Sequence, residues 1–449
     1  MRRVLLGLAI AAVLTARAVL ATAGPREGSD VSQHEAHRLG GLRTYDGPRL
    51  TLAGAIDEAL TKNPELLAWR RQFEVARQRP AQERFLMPPS FEAQIWQWPV
   101  TTLNPLNTNM YMFTIQQELP GRGKRDLRAA VAEKDVQRAV AEIALHARDI
   151  VKDVMRAYAD LSLARRAIDI HLTSVELLRQ LADASTIKYA AGRSPQQDVL
   201  KAVTELSRLH EDLVVHEETA ATATARLNTL LDRDPEMPIG ALDEPRAEVA
   251  LPASEELQRL ALERQPELRT AQLGVERAQA TLAVARGDYK PDYFVGGGYM
   301  LMPRQAGAWT ASVGVTWPGA PWSRGRLDAK TAEASAEADA AAAKVRVVER
   351  QIRLAVHDAY IRVVAAGQRV SLLRTAVMPQ SEQTLEVSRV AYQTDRVDFL
   401  ALIENQRALL DARLNYFRAL SDRELALADL ARAVGTDPSS PSVSALEGR

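Results

Sequence analysis

The chain of 449 residues contains an internal repeat in which one unit occurs twice, and this repeat constrains the fold more than any other feature. Three motifs recur 202 residues further on and a fourth recurs after 203 residues. Asn63-Pro64-Glu65-Leu66 recurs as Gln265-Pro266-Glu267-Leu268, Arg122-Gly123-Lys124 as Arg324-Gly325-Arg326, Ala157-Tyr158 as Ala359-Tyr360, and Asp234-Pro235 as Asp437-Pro438. Matches in order at a nearly constant offset predict two copies of one unit, at residues 50–235 and 253–438, joined by a linker at 236–252.

Within each copy, the spacing of apolar residues predicts the same elements: a helix, two strands, a very long helix and a return helix. The predicted ranges are 51–84 and 254–288 for the first helices, 91–100, 109–119, 292–302 and 308–317 for the strands, and 196–231 and 397–434 for the return helices. The long helices carry a narrow apolar stripe with a period near 3.5, which is typical of coiled-coil packing. In the second copy, Pro379 predicts a kink or a local break.

The last predicted strand alternates strictly between apolar and small polar residues. Trp309, Ala311, Val313, Val315 and Trp317 fall on one face, whereas Thr310, Ser312, Gly314 and Thr316 fall on the other. A strand of about ten residues with Trp at both ends is typical of a transmembrane β-strand with aromatic girdles at the membrane surfaces. We therefore predict a membrane girdle that consists of Trp96, Trp98, Trp309 and Trp317. The alternative is an ordinary soluble hairpin.

The start of the chain predicts export from the cytoplasm. Arg2 and Arg3 precede an apolar run, and Ala21-Thr22-Ala23 fits a cleavage site, so residues 1–23 are predicted to be a signal peptide. A membrane-anchoring helix is the alternative, but the apolar run is short and interrupted by charge. No other stretch reaches the roughly 20 apolar residues of a membrane helix, so a membrane would have to be crossed by strands. We expect a flexible segment at residues 24–49 and a disordered tail at 439–449.

Composition and missing motifs argue against several classes of function. The formal net charge is zero, which gives no electrostatic case for a nucleic-acid partner. The chain has no cysteine, which excludes disulfides and thiolate metal sites. It also has no Gly-rich phosphate loop, no G-x-S-x-G and no H-E-x-x-H, and its scattered histidines form no convincing metal pair. We therefore predict no enzyme activity, no cofactor and no metal-binding residues.

Four strands per chain cannot close a barrel, and open sheet edges are not tolerated in lipid. Oligomerisation is therefore required, and three chains would supply twelve strands, although strand number alone also allows other multiples. The helices, set side by side around one axis, would form a second barrel. The predicted fold class is mainly α with a transmembrane β-barrel portion. Together with the family resemblance that this layout carries, the strand number predicts a trimeric 12-stranded β-barrel continuous with a periplasmic α-helical barrel.

This layout resembles the TolC-type family of outer-membrane efflux proteins, the outer membrane factors of tripartite pumps. The resemblance covers residues 50–435 and includes local motifs at the strand-to-helix junction (Gln117 to Arg125) and at both helical tips (Tyr189 to Gly192, and Tyr392 to Asp398). Asp395 stands where the second tip of the family usually carries Gly, which leaves the contact of this turn with a partner open. The Pro-Gly-Arg-Gly-Lys junction and the methionine-rich strands resemble the heavy-metal branch of the family.

The resemblance implies a homotrimeric duct in the outer membrane of a Gram-negative cell, with its helices in the periplasm. It would dock on a periplasmic adaptor that couples it to an inner-membrane transporter, often of the resistance-nodulation-division class. The expected docking residues at the tips are Tyr189, Gly192, Arg193, Tyr392, Asp395 and Arg396, and the expected pore gate is Asp398 with Glu404. For each of them, the alternative is an ordinary turn or a solvated helix face.

Two questions stay open from the sequence. One is whether the chain is instead a secreted or periplasmic coiled-coil scaffold or adaptor protein that spans no membrane. The other is the substrate, which the sequence leaves open among metal ions, drugs, solvents and polypeptides. Met110 and Met112 share a strand face, as do Met300 and Met302. Thioethers suit Cu(I) and Ag(I), although Met is also a general apolar filler.

Overall fold

The computed structural model describes residues 45–435, except residues 99, 102–103, 245–249, 304 and 395. The predicted signal peptide at 1–23, most of the predicted flexible segment at 24–49 and the predicted tail at 439–449 lie outside the described residues. Asp395, one of the expected docking residues, also lies outside them.

The order of elements is the predicted one in both copies. The helices of the described chain are α1 (Leu52–Lys62), α2 (Pro64–Arg84), α3 (Lys124–Ala190), α4 (Gln196–Leu230), α5 (Ser254–Arg264), α6 (Pro266–Gly287), α7 (Arg324–Leu372), α8 (Met378–Gln393) and α9 (Phe399–Val434). The strands are β1 (Ser90–Trp96), β2 (Met110–Leu119), β3 (Asp292–Leu301) and β4 (Ala308–Thr316). No helix in the described ranges is both long and apolar enough to cross a membrane.

Each predicted first helix is in fact two helices, because a proline interrupts it. Pro64 and Pro266 begin α2 and α6, and a residue before proline is driven out of the α conformation. The two interrupting residues, Asn63 and Gln265, anchor the break in equivalent ways. The side-chain amide of Asn63 donates to the carbonyl of Leu230 at 3.0 Å, and that of Gln265 donates to the carbonyl of Arg432 at 2.8 Å. In both copies the break is therefore tied to the end of the return helix.

Two apolar cores, one in each copy, are built from equivalent residues. In each core, the short first helices pack against the middle of the long helix and the end of the return helix. Pairs 202 residues apart are Ala59 and Ala261, Leu66 and Leu268, Ile150 and Ile352, Val154 and Val356, and Ala157 and Ala359; pairs 203 apart are Leu227 and Leu430, and Leu231 and Val434. The sequence repeat is therefore also a repeat of the packing.

The change of offset from 202 to 203 coincides with a π-helical turn. The core residues Leu161 and Val363 are 202 apart, whereas Tyr189 and Tyr392, near the ends of α3 and α8, are 203 apart. Between them, residues Leu373–Val377 form a π-helical segment in the second copy, which takes up one extra residue. Pro379 lies two residues after the end of this segment. The break predicted at this proline is thus a π-helical turn, after which the helix continues as α8.

The long helices pair antiparallel, α3 with α4 and α7–α8 with α9, and α9 also packs against α3. Its 67 residues give α3 a length of about 100 Å. The predicted apolar stripes are confirmed over the middle of both long helices but not throughout. Two residues that the spacing assigns to the stripes are exposed: Val140 of α3, and Ala355 of α7, where the neighbouring Val356 is buried instead.

The strands form one antiparallel sheet with the order β1-β2-β3-β4, so β2 and β3 join the two copies. β1 ends at Trp96, earlier than predicted, because Gln97 adopts a left-handed conformation with φ of 56°. At the other end, Asp292 fixes the sheet to the start of α3. Its carboxylate accepts from the Gly121 amide at 2.7 Å and from Nζ of the buried Lys124 at 2.8 Å.

Candidate functional site

One face of the sheet is apolar and uncovered across all four strands. It carries Phe91, Ala93 and Ile95 of β1, Tyr111, Phe113, Ile115 and Leu119 of β2, Tyr293, Val295, Tyr299 and Leu301 of β3, and Trp309, Ala311, Val313 and Val315 of β4. Gln117 is its polar exception. Val313 is 81% exposed and Trp309 is 83% exposed. An uncovered apolar face of this extent marks an interaction surface, and its strand alternation suits lipid contact.

The opposite face of the sheet is polar over most of its length. It carries Ser90, Glu92 and Gln94 of β1, Thr114, Gln116 and Glu118 of β2, Asp292, Gly296 and Gly298 of β3, and Thr310, Ser312, Gly314 and Thr316 of β4. Phe294 also lies on this face, and a side chain at the opposing Gly314 would collide with its ring. The polar residues of the sheet thus lie mostly on this side, while the end of the same side near Trp96 and Met110 is apolar.

The strand register places two of the predicted girdle residues, Trp309 and Trp96, on opposite faces of the sheet. Trp309 lies on the apolar face beside Tyr299, with ring centroids 5.1 Å apart. Trp96 lies on the polar face, opposite Met110, and its indole Nε1 donates to Gln94 at 2.6 Å. This position differs from the girdle position predicted for Trp96, because the register with β2 assigns it to the other side.

The remaining exposed tryptophans flank the strands. Trp317 follows β4 and is 63% exposed, and Trp98 lies beyond the left-handed Gln97. Trp322, between β4 and α7, is 86% exposed and is absent from the girdle predicted from the sequence. The alternation pattern missed it because it lies outside any strand.

The two helical tips have the same length and are closed by equivalent hydrogen bonds. Five residues separate α3 from α4 and five separate α8 from α9. In each tip a 6→1 hydrogen bond closes the helix: the Arg193 amide donates to Lys188 and the Arg396 amide donates to Ala391, both at 2.9 Å. Gly192 has a φ of 68°, the left-handed conformation that such a helix end requires. Gly192, Arg193 and Arg396 are exposed at the reversals.

The two tip tyrosines occupy different environments. Tyr189 is 46% exposed, whereas Tyr392 is only 5% exposed. Nζ of Lys188 lies 4.0 Å from the centroid of the Tyr392 ring and donates to its carbonyl oxygen. The ring of Phe399 packs against the other side, with centroids 5.5 Å apart. Tyr392 therefore joins the two tips within one chain, and its ring is not presented to a partner as the docking prediction expected.

Acidic side chains from both tips lie near one another. Asp398 caps α9, with its carboxylate accepting from the Ala401 amide at 3.0 Å. Burial is the main cause that raises the pKa of Asp198 above its ordinary value. The negative charge of Asp398 also raises this pKa, whereas the positive charge of Lys201 lowers it. Glu404, six residues after Asp398, is exposed on α9. The predicted gate residues thus lie on one helix, with Asp198 as an acidic neighbour that the prediction omitted.

An ion pair between the copies lies close to these acidic groups. Arg407 of α9 donates from Nε to Glu205 of α4 at 2.6 Å, with a second bond from Nη2 to the other carboxylate oxygen. Glu205 is buried, and its hydrogen bonding is the main cause that raises the pKa of Arg407. No sequence signal distinguishes Glu205 from the other acidic residues of its helix, so only the tertiary structure identifies this pair.

A second uncovered apolar stripe follows α7. Val347, Leu354 and Ile361 recur every seven residues and are each at least half exposed, and Leu372 continues the row at 60% exposure. An open groove of about 530 Å³ lies along this stripe and includes Val347 and Leu354 in its lining. Heptad spacing of apolar residues on an uncovered helix is the pattern of a helix that packs against a partner helix.

Within the described ranges, no group of three or more His, Asp or Glu side chains is arranged to hold a metal ion. A pair of histidines lies between α3 and α4. The rings of His171 and His216 lie 4.5 Å apart, and Nε2 of His171 is 4.0 Å from the Asp212 carboxylate. Burial is the main cause that lowers the pKa of His216.

Comparison with curated proteins finds one relative along most of the chain. The cobalt-zinc-cadmium resistance protein CzcC of Cupriavidus metallidurans is 25% identical over 397 residues, which cover 88% of this chain and 91% of that protein.

Solved structures share the fold. The outer-membrane channel OprN superposes with a TM-score of 0.72 at 21% identity, covering 87% of this chain and 91% of that one. The MtrE outer-membrane channel of Neisseria gonorrhoeae, in its open state, gives a TM-score of 0.70 at 19% identity, with 86% and 89% covered.

The model of the outer membrane efflux protein family matches this chain twice, at residues 55–233 and 257–436. These two matches coincide with the two copies that the sequence repeat and the paired cores define. The chain therefore belongs to the outer membrane efflux protein family.

Proposed function

We propose that this protein is a homotrimeric duct of a tripartite efflux system that passes heavy-metal ions from the periplasm to the exterior and catalyses no reaction. The observation that carries the proposal is the four-stranded sheet, with one uncovered apolar face and with β1 and β4 as its edges. In lipid, such edges must pair, because each unsatisfied backbone group costs several kcal/mol. A sheet of this kind functions in a membrane only as part of a closed assembly.

The trimer follows from the strands and the helices together. Pairing β4 of one chain with β1 of the next, three times, gives twelve strands and no free edge. The heptad stripe of Val347, Leu354 and Ile361 on α7 would pack against a helix of the neighbouring chain. The polar sheet face would then line the passage and the apolar face would contact the outer membrane.

The helical tips are proposed to dock on a periplasmic adaptor coupled to a transporter of the resistance-nodulation-division class. Gly192, Arg193, Arg396 and Tyr189 are exposed at the two reversals, whereas Tyr392 supports them from within. The two exposed arginines at these reversals offer donors for carboxylates or backbone carbonyls of an adaptor. The energy for transport would come from the inner-membrane partner.

Asp398 and Glu404 are proposed to form the pore gate, together with Asp198. In a trimer these side chains would recur three times around the axis and make acidic rings, which favour cations over anions. The nearby ion pair between Glu205 and Arg407 holds α4 and α9 together beside these rings. An acidic constriction of this kind suits a cationic cargo.

The proposed cargo is a divalent heavy-metal ion. The support is the relative named for cobalt, zinc and cadmium resistance, which aligns along most of this chain at 25% identity. We expect that deletion of the gene lowers the tolerance of its host to Zn²⁺, Co²⁺ or Cd²⁺ and leaves drug tolerance unchanged. Loss of tolerance to drugs alone would contradict the metal cargo.

The duct itself is tested with the mature protein in a planar lipid bilayer. We expect a detergent-solubilised trimer by native mass spectrometry and discrete conductance steps with a preference for cations. Asp398→Asn should reduce that preference, measured as a shift of the reversal potential in a salt gradient, because one acidic ring is removed. A monomer that is soluble without detergent and passes no current would instead indicate a periplasmic coiled-coil scaffold.

A further inference from the structure

Four methionines gather at one end of the sheet. Met110 and Met112 lie on β2, Met300 lies on β3, and Met302 is the first residue after the end of β3. The whole chain contains nine methionines, so nearly half of them fall within this small region. All four are partly buried.

The strand register brings these side chains together on one face. Met112 is the direct partner of Met300 across β2 and β3. Tyr111 pairs with Leu301, so the same register, continued by one residue, sets Met302 opposite Met110. Directly opposite residues have Cβ atoms about 5 Å apart, and residues two apart on a strand are separated by roughly 7 Å. Four flexible thioether side chains at these positions can bring their sulfur atoms to one point.

Met110, Met112 and Met300 lie on the side of the sheet opposite the exposed apolar surface, in rows shared with Gln94, Trp96 and Ala308. They are therefore not part of the surface proposed to contact lipid. Ala308, opposite Met300, has only a methyl side chain. The paired positions beside the quartet hold no imidazole and no carboxylate; Glu92, on the same face, pairs further along with Thr114. The local donor set is therefore sulfur, one amide and an aromatic ring.

We propose that Met110, Met112, Met300 and Met302 form a thioether site that binds a soft monovalent cation, Cu(I) or Ag(I). Thioether ligands select Cu(I) and Ag(I), whereas Zn²⁺ and Co²⁺ favour imidazole or carboxylate ligands that this site lacks. Trp96, opposite Met110, adds an aromatic ring next to the ion. The proposed binding depends only on the register of the strands. The statement that the site faces the passage rests on the proposed function as a duct.

The site is tested by titrating Ag⁺ into the purified full-length protein in detergent, in chloride-free buffer, with isothermal calorimetry. We expect the double variant Met112→Leu/Met300→Leu to bind Ag⁺ about tenfold or more weakly than the wild type, because two of four sulfur ligands are lost. The matched control is Met87→Leu/Met237→Leu, which removes two exposed methionines outside the strands and should leave the Ag⁺ affinity unchanged. Circular dichroism of both variants checks that the fold is retained, since leucine conserves the volume of methionine.

X-ray absorption at the silver edge provides an independent readout. We expect several sulfur scatterers around Ag⁺ in the wild type and in the control variant, and fewer in the double variant. Equal Ag⁺ affinity in the wild type and the double variant, or equal loss in both variants, would overturn the proposal. Conductance measured on the same preparations separates the two proposals, because a conducting trimer without an Ag⁺ site contradicts only this one.

Discussion

Glu58 on α1 shows how single side chains hold the first copy together. Its carboxylate accepts from Nε of Arg233 at 3.0 Å and from a second guanidinium nitrogen, and both side chains are only 17% exposed. Hydrogen bonding by Arg233 is the main cause that lowers the pKa of Glu58 from its ordinary value of 4.5. A lowered carboxyl pKa stabilises the folded state above pH 4.5, and this stabilisation is lost as the pH falls through the lowered value.

We therefore expect Glu58→Gln to lower the unfolding free energy by about 2 kcal/mol at pH 7, since the substitution leaves the buried guanidinium of Arg233 without its charge partner. At pH 3 the difference from the wild type should be smaller, because protonation weakens the same interaction in the wild type. Thermal unfolding at both pH values measures this. Glu83→Gln, at an exposed position near the end of α2, is the control and should change little. An equal effect of Glu58→Gln at both pH values would contradict the argument.

At the scale of residues, the sequence predicted what depends on alternation and missed what depends on tertiary contacts. Trp309 could be assigned to the apolar face because its own strand alternates. Trp96 could not, since its side of the sheet follows from the register with β2. In the same way, the burial of Tyr392 and the pairing of Glu205 with Arg407 arise between helices that are far apart in sequence.

At the scale of elements, β4 tests which side of the sheet contacts lipid. Val313 is 81% exposed on the apolar face, and its neighbour Ser312 is exposed on the polar face. We expect Val313→Lys to destabilise the membrane-inserted protein by about 2–4 kcal/mol, because it places a charge in lipid. Ser312→Lys, the matched control, should leave stability nearly unchanged and reduce cation preference. Urea unfolding in lipid vesicles measures the first effect and bilayer conductance the second. Equal destabilisation by both substitutions would contradict the assignment of the two faces.

The π-helical turn makes a second prediction at this scale. If Leu373–Val377 accommodates one extra residue, deletion of Ala376 together with Pro379→Ala should give a regular α-helix with the tip in its original orientation. Deleting one residue from the uninterrupted α3, such as Arg179, should instead rotate its tip by about 100°. Trimer yield and hydrogen exchange at residues 385–393 measure the difference. Greater disruption by the Ala376 deletion than by the Arg179 deletion would disprove the role of the turn.

The division of the first helix at Pro64 and the π-helical turn are two features that apolar periodicity alone does not predict. The single first helix was predicted because its apolar periodicity continues across Pro64, although the residue before a proline leaves the α conformation. The break expected at Pro379 was correctly located. Its form, a π-helical turn, is seen only in the structure, where it accounts for the change of offset between the two copies.

At the scale of the whole molecule, the two-copy layout could be read from the sequence because both copies keep the same core positions. The interface between subunits could not, because the apolar residues of a long helix do not reveal which of them face the same chain. The structure separates them: Val356 and Val363 pack within the chain, whereas Leu354 and Ile361 stay exposed.

The exposed stripe on α7 is expected to stabilise the trimer. Leu354 is 59% exposed in the single chain, and in the proposed trimer it packs against a neighbouring helix. Leu354→Asp should therefore destabilise the trimer by about 2–4 kcal/mol, because it removes an apolar contact and leaves a carboxylate at the interface. Ala355→Asp, also exposed but about 100° around the helix, is the control. Native mass spectrometry over a range of protein concentrations measures the trimer fraction. A selective loss of trimer in Leu354→Asp is expected, whereas equal loss in both variants, or in neither, would place the subunit interface on another face of α7.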